Sequence, residues 1–220
     1  MAAILQYKLF FRLIRALLSM FSAFLFVANT YAGIPLNVNP RIYFKDSLDV
    51  SRKITFPKKK NFFRAAGEVF GMNMGLWAFD RYALKGHYAY ISFETIKENF
   101  KHGFEWDNDH LNTNMFAHPY NGSLFFNAGR SNGFNFWQSE LFAISGSAMW
   151  ELFMECEYPS TNDIIATPVG GAALGEVFYR TSDMILDNRT AGGERLGREV
   201  ASFIISPMRG ITRIITGEDW

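Results

Sequence analysis

The stretch that decides the fold runs from Phe134 to Glu157, FNFWQSELFAISGSAMWELFMECE. Wound at about 100° per residue, it gathers Glu140, Ser147, Glu151 and Glu155 into an arc of roughly 80°. Leu141, Phe142, Met149, Trp150, Leu152, Phe153 and Met154 fill most of the remaining circumference. A surface helix carries an apolar stripe on a polar cylinder, and this segment is the inverse. Such a helix either lies centrally among others or turns its outside to lipid while its acids face inward. In both cases the carboxylates belong to an interior and need partners there.

Helical patterns continue on both sides. Downstream, YPSTND offers Ser160, Thr161 and Asn162 as caps, with Asp163 suited to a helix start. The helix that follows holds Gly171 and Gly175 four residues apart, an i,i+4 pair of Glu176 and Arg180, and Pro168, which should kink it or delay its start. GERLGREVASFII is read as a last helix that stops at Pro207. Upstream, Asn61 to Gly86 puts Gly67, Gly71 and Gly75 on one face. That stripe admits a neighbouring backbone, as in membrane bundles, or is simply tolerated in a soluble helix. A short helix ends near Gly103.

The first residues read differently. Lys8, Arg12 and Arg15 precede the apolar run Ala16 to Ala28 and a small-residue site at Ala32. That run falls short of the roughly 20 residues a span needs, so it reads as a signal peptide rather than an uncleaved anchor. The expected organisation is a signal peptide at 1–32, a linker or strand-bearing arm at 33–60, an all-α helical bundle at 61–206, and a tail at 207–220 that ends before some further region. A net charge of +1 gives no nucleic-acid signal, and Lys58 to Lys60 reads as a solvated face. Aromatics at 17% against 20% charged residues point to a large buried area or to lipid contact. Cys156 stands alone, so stability must come from packing.

WDNDHLNTNMFAHPYNG, Trp106 to Gly122, concentrates polar groups. Asp107 and Asp109 open like a calcium loop, but Leu111, Asn112 and His118 stand where an oxygen ligand, Gly and Glu are required. GRSNG, Gly129 to Gly133, mimics a nucleophile elbow around Ser131, yet all 4 histidines precede it and no strand leads into it. It reads as a helix–helix turn. A scattered metal site of His118, Glu151 and Glu155 is geometrically open, because the two glutamates lie one helical turn apart. The bland alternative is a polar turn in which Asn112, Asn114 and Asn121 cap helices.

NxxLWxFDRY (Asn73 to Tyr82), GFEWDNDHLNTNMFAHPYNGSLFFNAGRSNG, FWQSE followed by GSAMWELFMECEYPSTNDIIATPVGGAALGE, and the late SPMRGITRIITG resemble an uncharacterised domain-of-unknown-function family of Gram-negative envelope proteins. The resemblance spans about residues 61–217, implies an envelope location, and brings no established activity. Similar proteins often continue into a strand-rich outer-membrane part. A looser likeness links His118, Glu151 and Asp163, followed by glycines, to VanZ-like membrane proteins, although the aspartate–lysine pair usual ahead of the histidine is missing.

The expectation is therefore an exported, membrane-associated helical bundle on the periplasmic side, associated with the outer membrane. His118, Glu151, Glu155 and Asp163, with Asp107 and Asp109, should converge on a buried polar pocket. Two functions fit: a structural or interaction module for lipid or an envelope protein, and a hydrolase or transferase acting on a lipid-linked substrate. In the second, His118 is base or metal ligand, Glu151 its charge partner and Asp163 an orienting group. No cofactor is legible, and the metal is left open.

Overall fold

The computed structural model describes residues 59–187 and 189–217. The chain divides into Met1–Phe56 and Pro57–Trp220, and the described residues all belong to the second unit. The expected signal peptide and nearly all of the expected arm lie outside them.

The described residues form seven α-helices and no strand. They are α1 (Phe62–Ala78), α2 (Phe93–His102), α3 (His118–Ser131), α4 (Phe136–Met149), α5 (Thr161–Ile185), α6 (Gly192–Ile205) and α7 (Pro207–Thr216). Short polar side chains start several of them. Asn61 accepts from the Arg64 N–H, and Ser92 with Thr95 and Asn135 with Gln138 make reciprocal capping boxes. Ser160 caps α5 by accepting from the Asp163 N–H. Asn112, Asn114 and Asn121 do not cap: Asn112 makes no capping bond, Asn114 bonds the side chain of Asn162, and Asn121 lies within α3. The helix expected at 134–157 is α4, prolonged by a π-helical turn at Trp150–Met154. Helix α5 runs unbroken through Pro168.

The most enclosed helix is α3, not α4. Every residue from Gly122 to Gly129 is buried, and so is Ser131. Phe125 and Phe126 join Ala65 and Val69 of α1, Phe142 and Ala143 of α4, Ala172 of α5 and Met208 of α7 in one core. Absent side chains make the enclosure possible. A Cβ on Gly122 would stand 1.8 Å from the Thr167 carbonyl oxygen, and one on Gly171 would stand 2.4 Å from the Gly122 backbone. Pro119 against Gly170, Gly122 against Gly171 and Phe126 against Gly175 show α3 and α5 running in the same direction, and Gly129 against Ser139 with Gly146 against Phe125 show α4 running back along α3. The Gly171–Gly175 stripe therefore does receive a neighbouring helix, as small-xxx-small spacing implies.

The stripe on α1 does not. Gly67, Gly71 and Gly75 are exposed, and a Cβ on any of them meets nothing within 4 Å among the described residues. Spacing gives a shared face; it does not say which way the face looks.

Pro207 also behaves differently from its sequence reading. It opens α7, where a missing N–H is tolerated, instead of ending the helical region. Helix α7 buries Met208 and Thr212, and it carries Arg209 to Asp183 and Arg213 to Glu199. Thr212 Oγ1 donates to Glu68 Oε2 at 2.9 Å, and Asn132 Nδ2 donates to the same oxygen at 2.8 Å. Glu68 thus ties α1 to α7 and to the turn after α3, while its Oε1 is buried without a hydrogen bond.

Two measurements check this packing. Gly122→Ala forces two backbones apart and should cost about 3 kcal/mol in chemical denaturation, whereas Gly67→Ala, in open space, should gain roughly 0.5–1 kcal/mol. Burial pushes the Glu68 carboxyl up to about 7 from its ordinary 4.5. An acid raised on folding gives stability that is complete below the unfolded value and lost as pH climbs to the folded one. Relative to Glu68→Gln, the parent should therefore lose up to roughly 1.4 kcal/mol per pH unit between those two values and nothing further above; a constant difference across that range would refute the assignment.

Candidate functional site

The parallel pairing of α3 and α5 sets their N-terminal ends side by side, and the candidate residues collect there. His118 is the first residue of α3, at the point where a π-helical turn (Thr113–Ala117) changes to α register. Pro119 has no N–H to donate backward, which suits a change of register at that position. Asp163 sits in the first turn of α5, where the helix dipole favours a carboxylate. Glu151 lies in the second π-helical turn, just beyond α4.

Glu151 and Glu155 of the decisive stretch do point inward, whereas Glu157 at its end is exposed. Glu151 is 1% exposed, and its Oε2 accepts the Ser160 N–H at 2.8 Å. Asn99, buried on α2, donates its Nδ2 to the backbone carbonyl of Glu155 at 3.1 Å and to that of Glu151 at 3.4 Å. Glu155 itself accepts from Trp150 Nε1 at 3.2 Å. Ser147 Oγ reaches the Asp163 carbonyl oxygen at 3.4 Å, which joins α4 to α5. Glu140, on the same face of α4, is half-buried and stands apart from this group, with Oε2 unpaired.

The loop before α3 is fastened to the start of α5. The Glu105 N–H bonds the Pro159 carbonyl at 2.9 Å and the Thr161 N–H bonds the Glu105 carbonyl at 2.7 Å. Asn162 then draws the aspartates in. Its Nδ2 donates to Asp107 Oδ1 at 2.6 Å and to Asp163 Oδ1 at 3.2 Å, and its Oδ1 accepts the Asp107 N–H at 3.1 Å. Asp107 Oδ1 also accepts the Asp109 N–H at 3.1 Å. His118 Nε2 lies 3.3 Å from Asp163 Oδ2 and 3.7 Å from Asp109 Oδ2. It is sealed from solvent, yet it makes no well-directed hydrogen bond to either.

Electrostatics follow from this crowding. Burial pushes the Asp163 carboxyl up to about 7; Glu151 and Asp107 add to the rise, and His118 opposes it. Burial likewise raises Glu151, and it lifts Glu155 well above the ordinary range with the help of Glu151 beside it. At His118 burial works against the charged ring, but Asp109, Asp163 and Glu151 outweigh it, so the imidazole is a stronger base than usual. Asp107 is lowered despite burial, because Asn162, Ser160 and the Asp109 N–H bond its anion.

A small cavity of about 10 Å³ adjoins the group, lined by His118, Asn121, Ser147, Trp150 and Glu151 among others. That is space for about one water. The six expected residues therefore gather, but not in equal roles. Asp109, His118 and Asp163 present ligand-capable atoms within 4.8 Å of one another, whereas the scattered set of His118, Glu151 and Glu155 is not the one so placed among the described residues. Glu151 is occupied by Ser160, and Glu155 by Trp150. Sequence reasoning missed Asn99, and it took Asn162 for a cap alone. Nothing in the local pattern marks either, because their partners lie on distant segments.

No curated protein and no solved structure matches the chain. Residues 103–208, which include every candidate residue of this site and are narrower than the span expected from the motifs, match the family model described as Domain of unknown function (DUF3943).

Proposed function

We propose that this helical unit is an interaction module of the cell envelope that beds its apolar exterior in lipid or against an envelope protein, with the His118–Asp163–Glu151 group fixing the register of its helices. One helix carries the reading. Trp137 is 76% exposed and Leu141 62% exposed on α4, with Ile144 and Phe153 exposed beside them, while Ser147 and Glu151 are sealed inside. Phe62, Phe63 and Phe70 extend the apolar surface along α1. Exposed apolar area on this scale marks a surface meant to be covered. No helix among the described residues is long and apolar enough to cross a membrane, so the contact proposed is with a surface or a partner. Nucleic acid is not a partner that this surface fits.

The enzymatic alternative draws on the strengthened base at His118. Against it stands the cavity, which takes a water and not the headgroup of a lipid-linked substrate. In the geometry observed, the polar group serves structure better than turnover.

Glu151→Ala strands the Ser160 N–H and leaves a void, so it should lower stability by about 2–4 kcal/mol, read as a clear drop in melting temperature. If Glu151→Gln instead abolished turnover of any lipid-linked substrate at an unchanged melting temperature, the enzymatic reading would replace this one. The exterior is tested by flotation with vesicles of phosphatidylethanolamine and phosphatidylglycerol. The parent should float, and Trp137→Glu with Leu141→Glu should weaken partitioning at least tenfold, as expected for about 1.5–3 kcal/mol per apolar side chain, with no change in melting. Flotation that ignores the double substitution would remove α4 from the contact.

A further inference from the structure

We infer that Asp109, His118 and Asp163 form a binding site for a single divalent transition ion of the zinc class. The proposal rests on the same buried cluster that fixes helix register above, and it adds an occupant to it.

Geometry comes first. Each residue offers one ligand atom, and the three atoms lie within 4.8 Å of one another. Tetrahedral zinc with bonds of about 2.0–2.1 Å has ligand–ligand edges of roughly 3.3–3.4 Å. The His118 Nε2 to Asp163 Oδ2 edge is 3.3 Å and the edge to Asp109 Oδ2 is 3.7 Å, both near that value, and the edge between the two carboxylates lies within 4.8 Å.

The second observation is the nitrogen itself. His118 Nε2 is shut off from solvent and has no hydrogen-bond partner, although two carboxylate oxygens are close by. A sealed imidazole nitrogen set between two carboxylate oxygens has the donor type and the approach of a metal ligand.

The surroundings agree. Asn162 Nδ2 holds Asp163 through Oδ1 at 3.2 Å, leaving Oδ2 toward the histidine. Asn162 also grips Asp107, whose Oδ1 accepts the Asp109 N–H and so steadies the third ligand. Asn162 thus orients the Asp163 carboxylate directly and, through Asp107, anchors the backbone that carries Asp109, as outer groups do around a metal centre. Asp107, Asp109, Glu151 and Asp163 crowd one histidine, and a divalent cation relieves their mutual repulsion. Asp109 is 42% exposed, which gives the ion a way in.

Ligand type selects the metal. Calcium and magnesium want six or more oxygens, and an imidazole among three ligands argues against both. Three protein ligands suit zinc with a fourth position left for water.

The test uses the full chain, stripped with chelator and titrated with zinc chloride alone. One zinc per chain should remain after dialysis, measured by mass spectrometry of the metal, and zinc should raise the melting temperature. Asp109→Asn, at a half-exposed loop position, and His118→Gln should each weaken zinc binding at least tenfold. His102→Ala, elsewhere on the surface, should not. Cobalt substituted for zinc should give the intense visible absorption of a tetrahedral site in the parent and lose it in His118→Gln. Failure to retain stoichiometric zinc, or equal retention by parent, Asp109→Asn and His118→Gln, would overturn the proposal. The melting loss of Glu151→Ala is measured in zinc-free protein, so the register reading stands or falls independently.

Discussion

Contact between two helix backbones at Gly122 and Gly171 is the constraint from which the rest of the site follows. With no Cβ on either side, α3 and α5 approach until the Gly122 position faces the Thr167 carbonyl directly. The helices run the same way, so their first residues are brought level. His118, one turn before Gly122, then has to share space with Asp163, one turn before Thr167. A larger residue at either glycine would separate the helix ends, and the histidine would be free to find water instead of a carboxylate. Helix α4 completes the arrangement by running back against both and delivering Ser147 and Glu151 from its far end.

Electrostatics and capping then act together at that end. A helix N-terminus presents unsatisfied N–H groups and a partial positive charge, and that of α5 lies here. Ser160 satisfies one N–H of α5 with its side chain, while its own N–H is given to Glu151. The Glu151 carboxylate is therefore not merely tolerated; a backbone donor holds it. Asn162 extends the same logic outward and pins the loop that carries Asp107 and Asp109. The result is an acidic group whose members depend on one another, with His118 as the base among them.

Much of this was legible in the sequence, for identifiable reasons. The all-helical class, the inward face of Glu151, the cap at Ser160 and the pair Glu176–Arg180 follow from periodicities of three or four residues, which sequence displays directly. The inclusion of His118 came from chemistry, because buried acids need a base nearby, whereas Asp163 entered through its place at a helix start and a loose family likeness. Three things were not legible. The orientation of the α1 glycines depends on what lies opposite, and spacing cannot report that. The central place of α3 was hidden because Asn121, Ser123, Asn127 and Ser131 make it look like a polar loop. Those residues are buried or partly buried because small side chains let other helices close over them. The bonds of Asn99 to the turn holding Glu151, and the clasp of α7 by Glu68, join residues far apart in the chain. Only tertiary structure creates such pairs, whereas Pro207, a helix breaker in most positions, opens a helix here because a first-turn residue needs no N–H donor.

The energetic sense of the polar group bears on what it is for. A buried carboxylate costs several kcal/mol in lost hydration before its partners offset any of it, and well-packed apolar replacements for such groups are often equal or better in stability. Around Glu151 the small cavity is lined by Phe125 and Trp150 together with His118, Asn121, Ser147 and Thr167. Stability alone therefore does not account for an acid at that position. What an apolar residue could not do is specify: it would pack in several registers, whereas Glu151 accepts one backbone N–H, that of Ser160, and so admits one alignment of α4 with α5. The exterior shows the complementary choice. Trp137 and Leu141 face outward on the same helix, where a soluble surface would carry charge. Acids turned inward and aromatics outward on one helix are what the proposed contact with lipid or an envelope protein would require.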